Sequence, residues 1–252
     1  MSGNVTPFKK EAPPAACGFV ETETARGVLM ALHRAWSKGK LTLIAGAPGV
    51  GKTEALHQFR KDAPDMLVHT AISGEGGVFN LASGLCDLVG IARPAPTELA
   101  DARRRLAEAI GVGGFVLIDE AQYLVKRNSK GSDNPEALDW ARALAEEGFF
   151  GLAFVGDLSL LNAIKAMPQL DRRTHPRVIV ETVPDDDVTA LCAARGLTDK
   201  KVVKALAQKA RRLGGLGYVA EILSDARDMS DGDTPAPEDF IAAMQFFEKG
   251  CR

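Results

Sequence analysis

The chain has 252 residues, of which 46% are hydrophobic and 25% charged, the composition of an ordinary folded protein with apolar mass for a sizeable core and one or two domains. A formal net charge of -2 excludes a global basic field, so any contact with nucleic acid has to come from local patches. The four cysteines (Cys17, Cys86, Cys192, Cys251) show neither C-x-x-C nor zinc spacing, which points to reduced thiols in a cytosolic protein, and no segment reads as a membrane span or signal peptide.

Residues 1–18 contain Pro7, Pro13 and Pro14 with little periodicity, and read as an extended arm. A helix follows over 24–38, with Val28, Leu29, Leu32 and Trp36 on one face. The apolar strand Leu41-Thr42-Leu43-Ile44-Ala45 then runs into GAPGVGKT, residues 46–53, which meets the pattern G-x-x-x-x-G-K-[ST] at every fixed position. The next stretch, 54–61, is helical, and this strand–loop–helix order is what the motif requires, because amides at a helix start make an anion site. Gly46, Gly49 and Gly51 let the main chain approach phosphate oxygens, with Ala47, Pro48, Val50 and Glu54 completing the binding segment. Lys52 is expected to place its charge on the β- and γ-phosphates of ATP, and the Thr53 hydroxyl to ligate Mg²⁺.

A second strand is expected over 66–71, then a turn at 73–77 (SGEGG) and helices over 79–89 and 97–110. The continuous apolar run Phe115-Val116-Leu117-Ile118 reads as a strand buried on both faces, and it ends in Asp119-Glu120-Ala121-Gln122. Adjacent carboxylates at that position are costly unless they serve a cation or a reaction. Asp119 is expected to hold Mg²⁺ through water and Glu120 to polarise the water attacking the γ-phosphate, with helix capping as the alternative. A helix over 135–147, a strand over 151–155 ending at Gly156-Asp157, a helix over 158–167 and a strand over 178–181 complete the alternation. That alternation predicts an α/β fold with a parallel five-stranded sheet. After Pro184 the segments 185–195, 199–213, 216–229 and 237–249 are all helical, so a boundary is drawn near 183, with 19–183 as the nucleotide-binding core and 184–252 as a small all-α domain.

With these motifs in place, the chain resembles the AAA+ ATPases, P-loop NTPases with a helical lid. The DEAQ run and the segment Phe19-Val20-Glu21-Thr22 make it similar to the DNA-transposition ATPases of the phage Mu B, TniB and TnsC type, over roughly residues 19–230. The resemblance implies that Asp157 senses the γ-phosphate, where many members carry Asn; an N-cap for the next helix is an equal reading. It implies an arginine acting in trans on a neighbouring subunit's site, with Arg173 first, Arg172 second and Arg177 third. It places Val20 at the nucleotide, and Tyr218 where members often carry an arginine facing the nucleotide. Turnover is therefore expected to be slow, as in a switch.

The resemblance further implies non-sequence-specific binding of double-stranded DNA, ATP-dependent self-association into a ring or helical filament, and activation or targeting of a transposase in the cytoplasm of a bacterium or phage-infected host. It also implies that the chain lacks the separate N-terminal DNA-binding domain of larger relatives. Lys126, Arg127 and Lys130 in a loop after the carboxylate strand, and Lys200, Lys201 and Lys204 on a later helix, are the candidate phosphate contacts. Arg103, Arg104 and Arg105, interleaved with acids, read as a solvated helix face. Two alternatives remain, a helicase-loading replication ATPase and an ExeA-like NTPase switch that does not bind DNA.

Overall fold

A computed structural model describes residues 18–127, 133–230 and 235–250. The expected arm lies outside these residues apart from Gly18. In chain order, α1 (Glu23–Lys38) leads to β1 (Leu41–Gly46), α2 (Lys52–Asp62), β2 (Leu67–Thr70), α3 (Val78–Val89), α4 (Leu99–Ile110) and β3 (Phe115–Asp119). A short 3-10 turn, Ala121–Leu124, precedes the two-residue strands β4 (Lys126–Arg127) and β5 (Asp133–Asn134). Then come α5 (Glu136–Gly148), β6 (Gly151–Gly156), α6 (Leu158–Lys165), α7 (Pro168–Arg173), β7 (Val178–Val180) and four helices, α8 (Asp185–Ala194), α9 (Lys200–Leu213), α10 (Gly215–Met229) and α11 (Pro237–Gly250).

The main sheet has five strands in the order β2–β3–β6–β1–β7, and every pairing in it is parallel. Its inner strands alternate between two cores. Leu43, Val116, Ile118, Leu152 and Phe154 pack on one side with helices α3 to α6, while Ile44, Phe115, Leu117, Ala153 and Val155 meet α1 and α2 on the other. Strands covered on both faces cannot show a polar alternation, which is why they read as unbroken apolar runs. A third core joins α8 to α11, and it takes in Val50 of the phosphate loop.

Two local differences from the sequence expectation have plain causes. The helix expected over 158–167 ends at Lys165, and a further helix that was not expected, α7, starts at Pro168, which takes its first position, where the missing N–H costs nothing. The residue before a proline is pushed out of the helical region, and Met167 sits at φ -117, ψ 92. The stretch expected as a loop from Lys126 begins instead as β4, whose Lys126 and Arg127 pair with Asn134 and Asp133 in antiparallel register; two-residue strands carry no periodicity to read.

Candidate active site

The register of the sheet assembles the site at the C-terminal ends of the strands, where ligands of open parallel sheets gather. Ala45 pairs with Gly156, Gly46 with Val180 and Thr70 with Asp119, so the loop after β1, the carboxylates after β3 and Asp157 after β6 emerge from one edge.

Gly46 closes β1, and the loop passes through Gly49 and Gly51 at φ 73 and 91 before α2 starts at Lys52. The Ala47 amide donates to the Val180 carbonyl at 2.9 Å, which ties the loop to β7, while Pro48 is exposed and Val50 buried. No side chain caps the start of α2, so its first amides can serve an anion. The Lys52 ammonium donates to the carbonyls of Gly46 at 2.6 Å and Ala47 at 3.0 Å, folded over its own loop. Burial pulls the Lys52 pKa below its ordinary value, and the nearby charges of Glu120, Asp119 and Asp157 act against that pull. These four side chains therefore share one electrostatic neighbourhood. Thr53 and Glu54 lie exposed on the first turn of α2.

Asp119 ends β3. Desolvation raises its pKa above the usual carboxylate value and the Glu120 charge adds to the rise; the Glu120 amide, which donates to Asp119 Oδ1 at 2.9 Å, opposes it, as do Lys52 and His57. Glu120 sits at φ 53, ψ 34, a left-handed conformation seldom adopted by a residue with a side chain. The capping alternative fails for its side chain, which makes no capping bond to the 3-10 turn. Its Oε2 instead accepts from Gln122 Nε2 at 2.6 Å, and Gln122 Oε1 accepts from the Asp157 amide at 3.2 Å. Gln122 is marked in the sequence only as the last letter of the DEAQ run. Asp157 caps α6, its Oδ1 accepting from the Ser159 amide at 2.8 Å and hydroxyl at 2.5 Å; this role coexists with its place beside Lys52.

The oxygen donors suit a hard divalent cation. Thr53 offers an exposed hydroxyl, and Asp119 a partly buried carboxylate beside that of Glu120. Among the described residues no group of three or more His, Cys, Asp or Glu could hold a metal alone.

The helices after β7 touch this site directly. The Leu216 amide donates to the Gly49 carbonyl at 2.7 Å. A Cβ on Gly49 would lie 2.1 Å from the Gly214 carbonyl oxygen, so loop and helix start meet backbone to backbone. Nothing local in the sequence marks Gly214 or Gly215 as part of this site. Val20 and Ala47 each pack at the margin of the same helical core. Tyr218 departs from expectation: it is 2% exposed and packs edge-on against Phe247 at 5.0 Å, inside the helical core and not on a surface open to a nucleotide.

Arg172 and Arg173 are both exposed on α7. Arg173 pairs with Glu146 of α5, and Arg172 has no ion pair among the described residues. Arg177 is different, largely buried and held by Asp171 at 2.9 Å. Of the expected DNA contacts, Lys126 lies across Gly77, where a Cβ would come 2.5 Å from its Cε; the Arg127 side chain and Lys130 lie outside the described residues. Lys200, Lys201 and Lys204 are exposed on α9, and Lys200 and Lys204 rim a groove of about 610 Å³ whose wall includes Leu197 and Val203. Arg103, Arg104 and Arg105 pair with Glu147 and Asp101, as expected of a solvated face.

Comparison with known proteins matches residues 34–164 to the AAA domain family and residues 172–245 to the Mu B transposition protein C-terminal family. The DNA transposition protein B of the Mu-like prophage FluMu of Haemophilus influenzae is 27% identical over 220 residues, covering 84% of this chain and 72% of that protein. The ATP-dependent target DNA activator B of Escherichia phage Mu is 26% identical over 205 residues, 79% of this chain and 62% of that protein, so the chain spans less than two thirds of its length. Among solved structures, the ORC1 protein of Aeropyrum pernix, in complex with DNA, is similar with a TM-score of 0.59 at 17% identity, over 94% of this chain and 68% of that one; this likeness concerns the fold alone. No described helix is long and apolar enough to cross a membrane.

Proposed function

This chain belongs to the AAA domain family, and on that premise we propose that it is an ATPase that assembles on double-stranded DNA in its ATP-bound form and activates or targets a transposase. The observation that carries the chemistry is the convergence of Lys52, Asp119, Glu120 and Asp157 on one uncapped helix start. The match of residues 172–245 to the Mu B C-terminal family, and relatives named for DNA transposition and target DNA activation, support the DNA and transposase side of the reading.

In this reading the phosphates of ATP lie along Gly46 to Thr53 and accept from the first amides of α2, while Lys52 moves from the loop carbonyls to the β- and γ-phosphates. Glu120 takes the proton of the water that attacks the γ-phosphorus, and Asp157 lies close to the phosphate. Thr53 and Asp119 would hold Mg²⁺, which would supply charge neutralisation at the phosphate oxygens. Val20 and Ala47 border the nucleoside. Residues 184–252 act as a lid on the core formed by 19–183, closing through the Gly49–Leu216 contact. An arginine of α7, Arg173 or Arg172, reaches a neighbouring subunit's site, so that hydrolysis depends on assembly and stays slow without it. Lys126, Arg127 and Lys130, with Lys200, Lys201 and Lys204, contact DNA phosphates without reading sequence. The reaction takes place in the bacterial cytoplasm, on the DNA into which a transposon is directed.

The test is the ATPase rate against protein concentration, with and without non-specific duplex DNA at a stated salt of about 50 mM, rising to about 200 mM. The expected rate climbs more than linearly with protein and is stimulated by DNA, the stimulation fading with salt. A rate linear in protein and blind to DNA would overturn the assembly model and bring a DNA-independent switch forward. Recovery of a replicative helicase in place of a transposase would favour the loader alternative.

A further inference from the structure

The carboxylate of Glu120 has one hydrogen-bond partner among the described residues, the side-chain amide of Gln122. We propose that Gln122 is a positioning residue for ATP hydrolysis, which holds the Glu120 carboxylate in its proton-accepting orientation and locks that orientation to the end of β6. The inference rests on the reading of Glu120 as the base.

Three observations carry it. The Nε2–Oε2 distance of 2.6 Å is that of a bond to a charged acceptor, the stronger kind of hydrogen bond. The other end of the amide is also engaged, Oε1 accepting from the Asp157 N–H at 3.2 Å. Rotating the amide by half a turn would set its oxygen against the carboxylate and its NH₂ against the Asp157 N–H, so the two partners fix one orientation. The third observation is steric. A Cβ on Gly156 would stand 2.3 Å from Gln122 Oε1, so β6 makes room for this amide by ending in glycine.

A free glutamate side chain samples many rotamers, and ordering one costs conformational entropy. Gln122 meets that cost before substrate arrives, which is the general benefit of a preorganised site. The bridge also reaches beyond the base. Asp157 caps α6, and α7 with Arg172 and Arg173 follows α6 in the chain, so the carboxylate is joined through one amide to the helix that precedes the candidate trans arginines.

The experiment uses the full chain with the variants Q122A, Q122E and E120Q, alone and combined, under saturating DNA. ATP turnover is measured beside titration with a fluorescent ATP analogue. Q122A is expected to lower kcat about 10- to 100-fold, a part of the roughly 10²–10⁴ that a positioned base contributes, with KM and analogue affinity within about twofold. Q122E is nearly isosteric and still accepts from Asp157, but it sets a carboxylate against Glu120, so it is expected to lose at least as much. In the E120Q background Q122A should add no further loss, since a residue acting through Glu120 has nothing left to position. Wild-type kcat in Q122A and Q122E overturns the proposal, and so does an equal further loss in the E120Q background, the mark of structural support alone. Should Q122A fail to fold, Q122E and the exchanged pair E120Q/Q122E decide by the same criteria. If E120Q itself turns over normally, the reading of the base fails and the inference falls with it; if E120Q is inactive while the Gln122 variants are normal, only the inference fails.

Discussion

The main chains of Gly49 and Leu216 are hydrogen-bonded, the Leu216 amide donating to the Gly49 carbonyl at 2.7 Å, so the phosphate loop and the first turn of α10 form one unit. Gly215, at φ 72, makes the approach possible, for a Cβ there would lie 2.5 Å from the Gly49 carbonyl oxygen. One helical core surrounds both Val50 of the loop and Leu216 of α10, so a loop displaced on binding phosphate is expected to carry α10 with it.

G215A places a side chain in that contact and in a left-handed conformation. The expected cost is about 1–3 kcal/mol in urea unfolding, with ATP-analogue affinity about tenfold weaker as the lid is pushed off the loop. Unchanged stability and affinity would show that loop and lid are not coupled through this contact.

E120Q keeps the shape of the side chain and removes the base. Hydrolysis is expected to fall by about 10²–10⁴ while ATP binding persists, and ATP-bound oligomers should accumulate on DNA in sedimentation. Hydrolysis at the wild-type rate would exclude Glu120 as the base.

Asp119 links the site to pH. Its folded pKa is raised, chiefly by burial, so the stability tied to its protonated form is full below the ordinary aspartate value of about 3.9 and is lost as pH rises through the folded value. D119N should therefore melt above the wild type at pH 7 in metal-free buffer, and the gap should close as pH falls towards 4. A gap that widens on acidification would contradict the assignment. The same variant should lose Mg²⁺-dependent hydrolysis.

The α7 arginines can be tested by complementation. R172A/R173A should lose assembly-dependent turnover, an effect of about 10³–10⁵ where such arginines have been removed. Mixing it with E120Q should restore activity, because one subunit then supplies the base and its neighbour the arginine. No recovery in the mixture would place the arginines' effect within their own subunit. R177A breaks the pair with Asp171 and should act on stability first.

Asp187 of α8 is fully buried, and its carboxylate accepts from the Glu23 amide at 2.8 Å and the Thr24 amide at 3.4 Å at the start of α1. D187A should cost about 1–3 kcal/mol in urea unfolding by leaving buried donors unpaired, and D187N less, because it keeps an acceptor. Equal losses in the two would argue against these hydrogen bonds as the cause.

The place of the candidate site was readable because it is written locally. The run Gly46 to Thr53 and the pair Asp119-Glu120 need only their own spacing and the apolar strands before them, and helices such as α1 and α9 show their faces within a few turns. The start of α7 at Pro168 was within reach of the same local rules. Other features had no local trace. Gln122 touches Asp157, Asp187 caps α1 from the far end of the chain, and Gly215 abuts Gly49, each through a contact between segments remote in sequence.

Taken by itself, then, the amino-acid sequence determined the strand and helix alternation, the phosphate loop and the carboxylates at a strand end, since backbone geometry and burial act over a handful of neighbouring residues. The tertiary structure alone decided that β6 lies between β3 and β1, and so which side chains meet at the sheet edge. It also decided that Tyr218 turns into the helical core, that Arg177 is held while Arg172 is free of ion pairs among the described residues, and that Gln122 holds Glu120. Strand order and side-chain partners depend on the packing of the whole chain, and no short stretch of sequence carries that information.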